Sequence, residues 1–197
     1  TFSAMENVTG GTTTDGFTIN GGTISGTIDG NAGTDTLTGG NTTNTWTVNG
    51  TGAGTLAPGG NFTAIENIVG GNTTDSYSIT AGSITSIVDT SGNNTITQSG
   101  GTIGSVALTG PTQVNSSITT TGTQTYTGAT TLNANTTFTT TNSAVVFGST
   151  INSLTSNRTF TVNTGTGAAI TFSGAIGSTL ALASLSATST TAINING

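Results

Sequence analysis

The chain lacks the side chains on which most binding and catalytic chemistry depends. Its 197 residues include no Cys, no His, two Pro and a single basic residue, Arg158. Without Cys and His, the usual protein ligands of zinc, haem and iron–sulfur clusters are missing. One cation and a net charge of −6 leave no basic patch for phosphates, which excludes nucleic-acid binding. No apolar run approaches the roughly 20 residues that span a bilayer, so we expect no membrane insertion.

The scarcity of charge also argues against intrinsic disorder. Disordered chains are usually rich in charge and Pro, whereas only 4% of this chain is charged. Threonine makes up about a quarter of it, and there are 31 Gly. In segments 123–127, 136–140 and 159–163, bulky or aromatic residues alternate with Thr or Asn. This alternation, bounded by Gly and Asn, predicts β-strands.

No segment predicts a substantial helix. Thr, Asn, Ser and Gly are poor helix formers, and each Gly costs about 1 kcal/mol in a helix interior. Residues 180–186, LALASLS, alternate in a way that fits a strand better than a short helix. The fold class is therefore all-β.

The sequence repeats itself at a distance of 60 residues. Residues 2–29, FSAMENVTGGTTTDGFTINGGTISGTID, align without a gap with residues 62–89, FTAIENIVGGNTTDSYSITAGSITSIVD. Shorter units inside share one template of a Gly-Gly turn, a polar loop, an Asp or Asn, and an aromatic residue that enters a strand. The aromatic residues of the three units are Phe17, Trp46 and Tyr77.

The second half of the chain has a different spacing. Residues 144–153, AVVFGSTINS, recur 25 positions later as residues 169–178, AITFSGAIGS. We therefore predict two parts that meet near Pro111. Residues 1–110 form a solenoid with the 60-residue duplicated unit, and residues 111–197 continue it with repeats of about 25 residues.

Short strands at a spacing of 20–30 residues per repeat indicate a β-solenoid. At about 25 cal/mol per Å² of buried apolar area, a single coil cannot offset the entropy of ordering its own backbone. Stacked coils share one core, and Thr, Ser and Asn on their outer faces can form polar ladders. A β-sandwich and a propeller are the alternatives, and there are too few copies to close a propeller.

Three resemblances extend this interpretation. Residues 30–39, GNAGTDTLTG, resemble one unit of the calcium-binding repeats-in-toxin nonapeptide, with Asn31 in place of its second Gly. The Phe-x-x-x-Glu-Asn-x-x-Gly-Gly segments that begin at Phe2 and Phe62 resemble repeats of very large bacterial surface adhesins. Residues 123–197 are similar to the strand repeats of filamentous-haemagglutinin-like exoproteins. These resemblances imply a right-handed parallel β-helix, an extracellular location at the bacterial cell surface, and work in adhesion or biofilm matrix.

Calcium is the one cofactor that the sequence suggests, and the fold is not expected to require it. Ca²⁺ takes six to eight oxygen ligands, which in toxin repeats come from two adjacent turns. Asp29 and Asp35 are the candidate ligands of a single ion. An array of ions is not expected, because the Gly positions of the other units are occupied by Thr. The alternative, which we favour, is that these Asp residues cap turns through nearby N–H groups.

We expect no enzymatic activity. Paired carboxylates are the only catalytic chemistry that the chain offers, through Asp29 with Asp35 or Glu6 with Asp15. Glu6 recurs as Glu66 in the second unit, which favours a structural role. Arg158 is expected to be a solvated residue at a sheet edge, where a charge discourages lateral pairing.

Three functional hypotheses follow. The first is a structural and adhesive segment that acts as a stiff spacer and contact surface, stacks end to end with repeats or identical subunits into filaments, and contacts cell-surface glycans or other cells. For sugars, the exposed faces of Trp46, Tyr77 and Phe17 would be the platform, although core packing is the favoured role of these rings. The second is ice binding by Thr-x-Thr pairs such as Thr45/Thr47, which the irregular spacing of the pairs argues against. The third is calcium-stabilised folding of a toxin-type repeat module.

Overall fold

The computed structural model describes residues 5–197, so Phe2, at the start of the first duplicated unit, lies outside the described residues. Residues 5–197 form strands and turns with no helix, and parallel coils stack into a β-solenoid of about 9 turns. The predicted all-β solenoid of stacked parallel coils is confirmed. In this part of the chain there is consequently no helix that meets the length and hydropathy of a membrane span.

Ten strands form one face of the solenoid, sheet A. Along the stack they follow the order β1-β3-β7-β6-β5-β9-β11-β13-β16-β19. Their bounds are β1 (Val8–Thr9), β3 (Thr27–Asp29), β5 (Asn44–Gly50), β6 (Ala53–Ala57), β7 (Gly60–Thr63), β9 (Asp75–Ile79), β11 (Asn94–Gln98), β13 (Thr112–Val114), β16 (Thr130–Leu132) and β19 (Ile151–Ser153).

Thirteen strands form the opposite side, sheet B. Its main path is β2-β4-β8-β10-β12-β14-β17-β20-β22, and β15, β18, β21 and β23 branch from β12. The bounds are β2 (Gly16–Thr18), β4 (Thr36–Thr38), β8 (Asn67–Val69), β10 (Ser83–Asp89), β12 (Thr102–Leu108), β14 (Ile118–Thr120), β15 (Gln124–Tyr126), β17 (Thr136–Thr140), β18 (Val145–Phe147), β20 (Thr159–Asn163), β21 (Ile170–Phe172), β22 (Ser184–Thr188) and β23 (Ile193–Ile195).

A single apolar core runs along the axis between the sheets. Side chains alternate between the interior and the surface, so equivalent positions on successive strands form inward columns. Ile68 and Ile87 are consecutive members of one column in sheet B. Further along, Tyr126, Phe147 and Phe172 stack in register with ring centroids 5.3 and 5.7 Å apart. Each coil therefore covers the apolar side chains of its neighbour, as the sequence predicts.

The cross-section of the solenoid changes at β12. This strand pairs with both β14 and β15, so that later coils carry two short strands where earlier coils carry one long strand. Buried Thr residues lie at the new corner, and their hydroxyls donate to backbone carbonyls. Thr120 Oγ1 lies 2.6 Å from the Gly122 oxygen, and Thr164 Oγ1 lies 2.9 Å from the Ala168 oxygen. The corner thus satisfies polar groups that burial would otherwise leave unpaired.

In the later coils, strand register follows the 25-residue spacing of the sequence. Val145 pairs with Ile170, Phe147 pairs with Phe172, and an isolated bridge joins Ile151 to Ile176. Pro111 immediately precedes β13, close to the change of cross-section. The division of the chain at Pro111 itself stays a prediction.

One antiparallel excursion interrupts the parallel stack in sheet A. Strands β5 and β6 pair antiparallel, and so do β6 and β7. The outer strands rejoin parallel neighbours, because β7 pairs with β3 and β5 pairs with β9. In sheet B, β4 pairs directly with β8. The excursion therefore adds strands to one face only, and it was not predicted from the sequence.

Equivalent strands of the two duplicated units lie in opposite sheets. Val8 in β1 belongs to sheet A, whereas its equivalent Ile68 in β8 belongs to sheet B. Early coils take 20 residues, as the pairing of Val8 with Ile28 shows, so three such coils would return a 60-residue repeat to the same sheet. In the excursion, residues 44–63 form three consecutive strands of sheet A, so the chain does not cross to sheet B between them. The second unit therefore begins on the opposite sheet from the first.

Candidate functional site

The predicted calcium ligands, Asp29 and Asp35, lie on either side of one turn between β3 and β4. Asp29 Oδ1 accepts the N–H of Asn31 at 2.9 Å, so this carboxylate caps its own turn. Asp35 is fully buried, and its Oδ1 accepts the N–H of Asp15 on the neighbouring coil at 2.7 Å. Asp35 Oδ2 is buried and has no hydrogen-bond partner. Each residue is thus engaged in turn or coil contacts through one carboxylate oxygen.

Calcium at this turn stays a prediction. Among residues 5–197, no group of three or more Asp, Glu, His or Cys side chains is placed to hold a metal ion. Since Ca²⁺ takes six to eight oxygens, most ligands at Asp29 and Asp35 would have to be neutral oxygens, from backbone carbonyls, neutral side chains or water.

Acidic side chains link successive coils at the entry to sheet B. Asp15 donates its N–H to Asp35, and Asp35 in turn donates its N–H to Glu66 Oε2 at 2.8 Å. Glu6, the other half of the predicted carboxylate pair with Asp15, is exposed. Asp15 instead accepts the N–H of Gly11 through Oδ2 at 2.6 Å. These carboxylates act as acceptors for backbone N–H groups, which is the structural role expected of Glu66.

The shared Gly-Gly template forms one recurrent turn. Asp75 Oδ2 accepts the N–H of Gly71 at 2.8 Å, as Asp15 does from Gly11. Where Asn replaces Asp, the direction reverses, and Asn44 Nδ2 donates to the Gly40 oxygen at 2.8 Å. The template is therefore a side-chain-capped turn in which an amide and a carboxylate satisfy opposite backbone groups.

A second acidic cluster lies in the interior and was not predicted. Asp75, at the start of β9, and Asp89, at the end of β10, are both fully buried. Tyr77 donates its hydroxyl to Asp89 Oδ2 at 2.7 Å. Burial, with a further contribution from the neighbouring Asp75, raises the pKa of the Asp89 carboxyl to about 6, although the Tyr77 hydrogen bond opposes the rise. Burial also raises the pKa of Tyr77 above its usual range, with Asp89 as the next cause.

A one-residue difference in register explains why Asp89 is buried and its equivalent Asp29 is not. In β3, Ile28 points inward and Asp29 outward, whereas in β10 Ile87 and Asp89 point inward and Val88 outward. A shift of one residue moves every side chain of a strand to the other face. The sequence copies are aligned without a gap, so no signal in them distinguishes the two carboxylates.

The aromatic residues of the template are not an exposed platform for sugars. Trp46 and Tyr77 are buried and stack at a centroid distance of 6.5 Å, and Phe17 is half-buried against the core. Core packing, the favoured prediction for these rings, is thus what the structure shows. Arg158, by contrast, is half-buried beside β20, which lies between β17 and β22. Its prediction as a solvated edge residue is wrong, because β20 is an interior strand.

The outer face of sheet A carries hydroxyl and amide side chains in register. Two adjacent columns can be followed over five strands without a charged residue. The first column contains Thr45, Ser76, Thr95, Gln113 and Thr131, and the second contains Thr47, Ser78, Thr97, Asn115 and Asn133. We call these two columns the hydroxyl array.

Side-chain hydrogen bonds run along the hydroxyl array. The hydroxyls of Ser76 and Thr95 lie 2.7 Å apart, and Asn133 Nδ2 donates to Asn115 Oδ1 at 3.2 Å. The polar ladders expected from the Thr- and Asn-rich composition are therefore present on this face.

Comparison with protein-family models, with curated proteins and with solved structures finds no match to this chain. The resemblance to adhesins and toxin repeats therefore rests on the sequence motifs quoted above. What the structure establishes is a repeat protein of the β-solenoid type.

Proposed function

We propose that the chain is a structural and adhesive β-solenoid segment of an extracellular bacterial surface or matrix protein, where it acts as a stiff spacer and contact surface. The observation that carries the proposal is the continuous stack of coils around one apolar core. The resemblance to surface adhesins supports the location at the cell surface. The chain has no thiol to oxidise there. The proposed role needs no catalytic residue, and we propose no enzymatic activity.

Stiffness follows from how the coils are joined. Backbone hydrogen bonds run from coil to coil along the axis, as in the 2.8 Å contact of the Gly70 N–H with the Val88 oxygen. Bending the solenoid would lengthen these bonds on one face and open the shared core. Such a segment would hold a distant binding region away from the cell surface at a fixed length.

The last coil favours stacking with a further coil as the partner interaction. Leu185, Ile193 and Ile195 are 44%, 43% and 67% exposed. Their neighbours on the preceding coil, Phe160, Ile170 and Phe172, are almost completely buried. A coil of the same kind, from a neighbouring repeat or an identical subunit, would cover this apolar row and pair with β22 and β23.

Analytical ultracentrifugation over a range of protein concentrations tests the stacking. We expect concentration-dependent association that is abolished by the double substitution Ile193→Asn/Ile195→Asn. The matched control is Thr171→Asn/Thr188→Asn on outward positions, which should associate like the wild type. A wild-type chain that stays monomeric at high concentration, with negative-stain images of isolated short rods only, would contradict the stacking.

Adhesion itself is tested with the hydroxyl array. Because the hydroxyl array carries no charge and the aromatic rings of the same strands are buried, contact with glycan hydroxyls would depend on hydrogen bonding. We expect the immobilised chain to retain glycan-coated beads, and the substitution Thr95→Lys to reduce retention. Thr139→Lys on sheet B is the control. Equal retention by both variants and by an unrelated protein would contradict adhesion by this face.

A second candidate function, ice binding, is favoured by strand register. The Thr45/Thr47, Ser76/Ser78 and Thr95/Thr97 pairs lie on adjacent strands β5, β9 and β11. The irregular spacing in sequence, which argued against an ice face, arises partly because the antiparallel excursion separates β5 from β9. Thermal hysteresis of the wild type that Thr95→Lys removes would support ice binding, and its absence in the wild type would exclude this candidate.

Calcium stabilisation is a further property that we propose to test at Asp29 and Asp35. The unpartnered, buried Oδ2 of Asp35 supports it. The melting temperature of the wild type should be higher with Ca²⁺ than with a chelator. The melting temperature of Asp35→Asn should be the same in both conditions. Identical wild-type curves would exclude a stabilising ion at this turn.

A further inference from the structure

The interior of the solenoid holds two carboxyl groups with no protein cation to balance them. Asp75 and Asp89 are fully buried, and the whole sequence contains only one basic residue, Arg158. Arg158 precedes β20, several coils away from β9 and β10 along the stack. Burying two uncompensated carboxylates together is strongly unfavourable. Uptake of a positive charge from solution would therefore stabilise the pair.

The two carboxyl groups meet beneath Gly70. A methyl group at Gly70 would lie 2.1 Å from Asp89 Oδ2 and 2.6 Å from Asp75 Oδ2, so both oxygens occupy the space that the missing side chain leaves. Gly70 lies level with Asp89 on the neighbouring strand, since Val69 pairs with Val88. Both oxygens are therefore directed into one small volume from two strands.

Hydrogen-bond donors already surround the pair. Asp75 Oδ1 accepts the N–H and the side-chain amide of Asn44, and Asp75 Oδ2 accepts the N–H of Gly71. Asp89 Oδ1 accepts the N–H of Ser91, and Asp89 Oδ2 accepts the hydroxyl of Tyr77. A site lined by donors offers few free lone pairs to a metal ion, but a proton needs only one.

We propose that Asp75 and Asp89 share one proton, as a carboxylic acid hydrogen-bonded to a carboxylate, and that this proton makes the junction between β5, β9 and β10 sensitive to pH. The groups that face the pair are Tyr77 on β9, Asn44 on β5, and Asn94 at the start of β11, which pairs in register with Asp75. None of these carries a charge at neutral pH, so the proton is held by the two carboxyls alone.

The first duplicated unit shows that the pair is not a general property of the repeat. The equivalent residues Asp15 and Asp29 are both half-buried, and Phe17 stands in place of Tyr77. A methyl group at Gly10 would meet Asp15 Oδ2 and the Gly30 backbone oxygen as its nearest neighbours, with no atom of Asp29 among them. Asp29→Asn is therefore a natural control for Asp89→Asn.

Loss of the shared proton sets the direction of the pH effect. A carboxyl with a raised pKa in the folded state stabilises the fold below its unfolded pKa, and this stability is lost as pH rises through the folded value. With a value of about 6 in the folded state, the folding equilibrium constant should be about 10-fold larger at pH 5 than at pH 7.5. The wild type should accordingly melt at a higher temperature at pH 5.

Thermal and urea unfolding of the full chain between pH 5 and 7.5 tests the proposal. Asp89→Asn places an amide that donates to Asp75 without a proton from solution, so its stability should not change over this range. Asp29→Asn should keep the wild-type slope. If Asp89→Asn also keeps that slope, the proposal is wrong.

A measurement on the wild type alone tests the proposal even if the variant does not fold. With ¹³C-labelled aspartate, one carboxyl carbon should titrate near pH 6, and infrared spectra should show one protonated carboxylic acid at pH 5. Titration of all Asp carboxyls below pH 5 would overturn the proposal. So would stabilisation by Ca²⁺ at pH 7.5 that Asp89→Asn removes, because the pair would then bind a cation instead of a proton.

Discussion

At the scale of single residues, glycine allows neighbouring coils to approach each other closely. Strands β8 and β10 bring Gly70 over the two buried carboxyls, where any side chain would displace them. Gly16, at the start of β2, has no heavy atom within 4 Å of the position that a Cβ would take. Alanine substitutions at these two glycines therefore distinguish an effect of close packing from the general effect of glycine on the unfolded chain.

Gly70→Ala should destabilise the protein by at least about 2 kcal/mol, because the methyl group overpacks a filled space and disturbs the Tyr77–Asp89 hydrogen bond. Gly16→Ala should leave stability unchanged or raise it by less than about 1 kcal/mol, since alanine restricts the unfolded chain. Urea unfolding of both variants measures the difference. Equal stabilities would show that the space beneath Gly70 is not filled as described.

At the scale of strands, the aromatic column of sheet B contributes a large share of the packing in the later coils. Phe147 stacks between Tyr126 and Phe172 and makes edge contacts with Phe138 and Phe160 at centroid distances of 5.1 and 5.3 Å. These contacts join three successive coils through one side chain.

Phe147→Ala should cost about 3–5 kcal/mol, the usual range for an aromatic residue removed from a packed core. Val146, its neighbour in β18, points outward and is half-buried, so Val146→Ala should cost less than about 1 kcal/mol. Thermal and chemical unfolding of the two variants measure the difference in stability. A small loss for Phe147→Ala would indicate that the coils are not joined through this column.

The strands themselves could be predicted from local alternation. Segments 123–127, 136–140 and 159–163 contain β15, β17 and β20. In the LALASLS segment only residues 184–186 lie in a strand, β22, and residues 180–183 form neither strand nor helix. Alternation is a local property of the chain, set by which side chains suit a pleated surface with one face buried.

Register and sheet membership could not be predicted in the same way. Asp29 and Asp89 occupy equivalent sequence positions, yet one faces solvent and the other the core, because their strands are paired one residue differently. The antiparallel run of β6 was also missed, although Asn49-Gly50 and Pro58-Gly59, at its two ends, are turn dipeptides typical of hairpins. Register and sheet membership depend on the contacts of a whole stack, in which the position of one coil fixes the next. The buried acid pair was missed for this reason.

Across the complete solenoid, the coils lie in register along the axis. Residues far apart in sequence are then direct neighbours, as Thr137 and Thr161 are on β17 and β20. Both side chains point outward and are half-buried, so their replacement should disturb the core little.

Disulfide formation in engineered double-cysteine variants tests this register most directly, because the natural chain has no Cys. Facing residues on adjacent strands are about 4.8 Å apart, which suits the Cα separation of a disulfide. Thr137→Cys/Thr161→Cys should therefore cross-link on mild oxidation with high yield. Thr139→Cys/Thr161→Cys, displaced by two residues, should not. Cross-linking of the displaced pair, or of neither pair in the folded protein, would contradict the stacked solenoid.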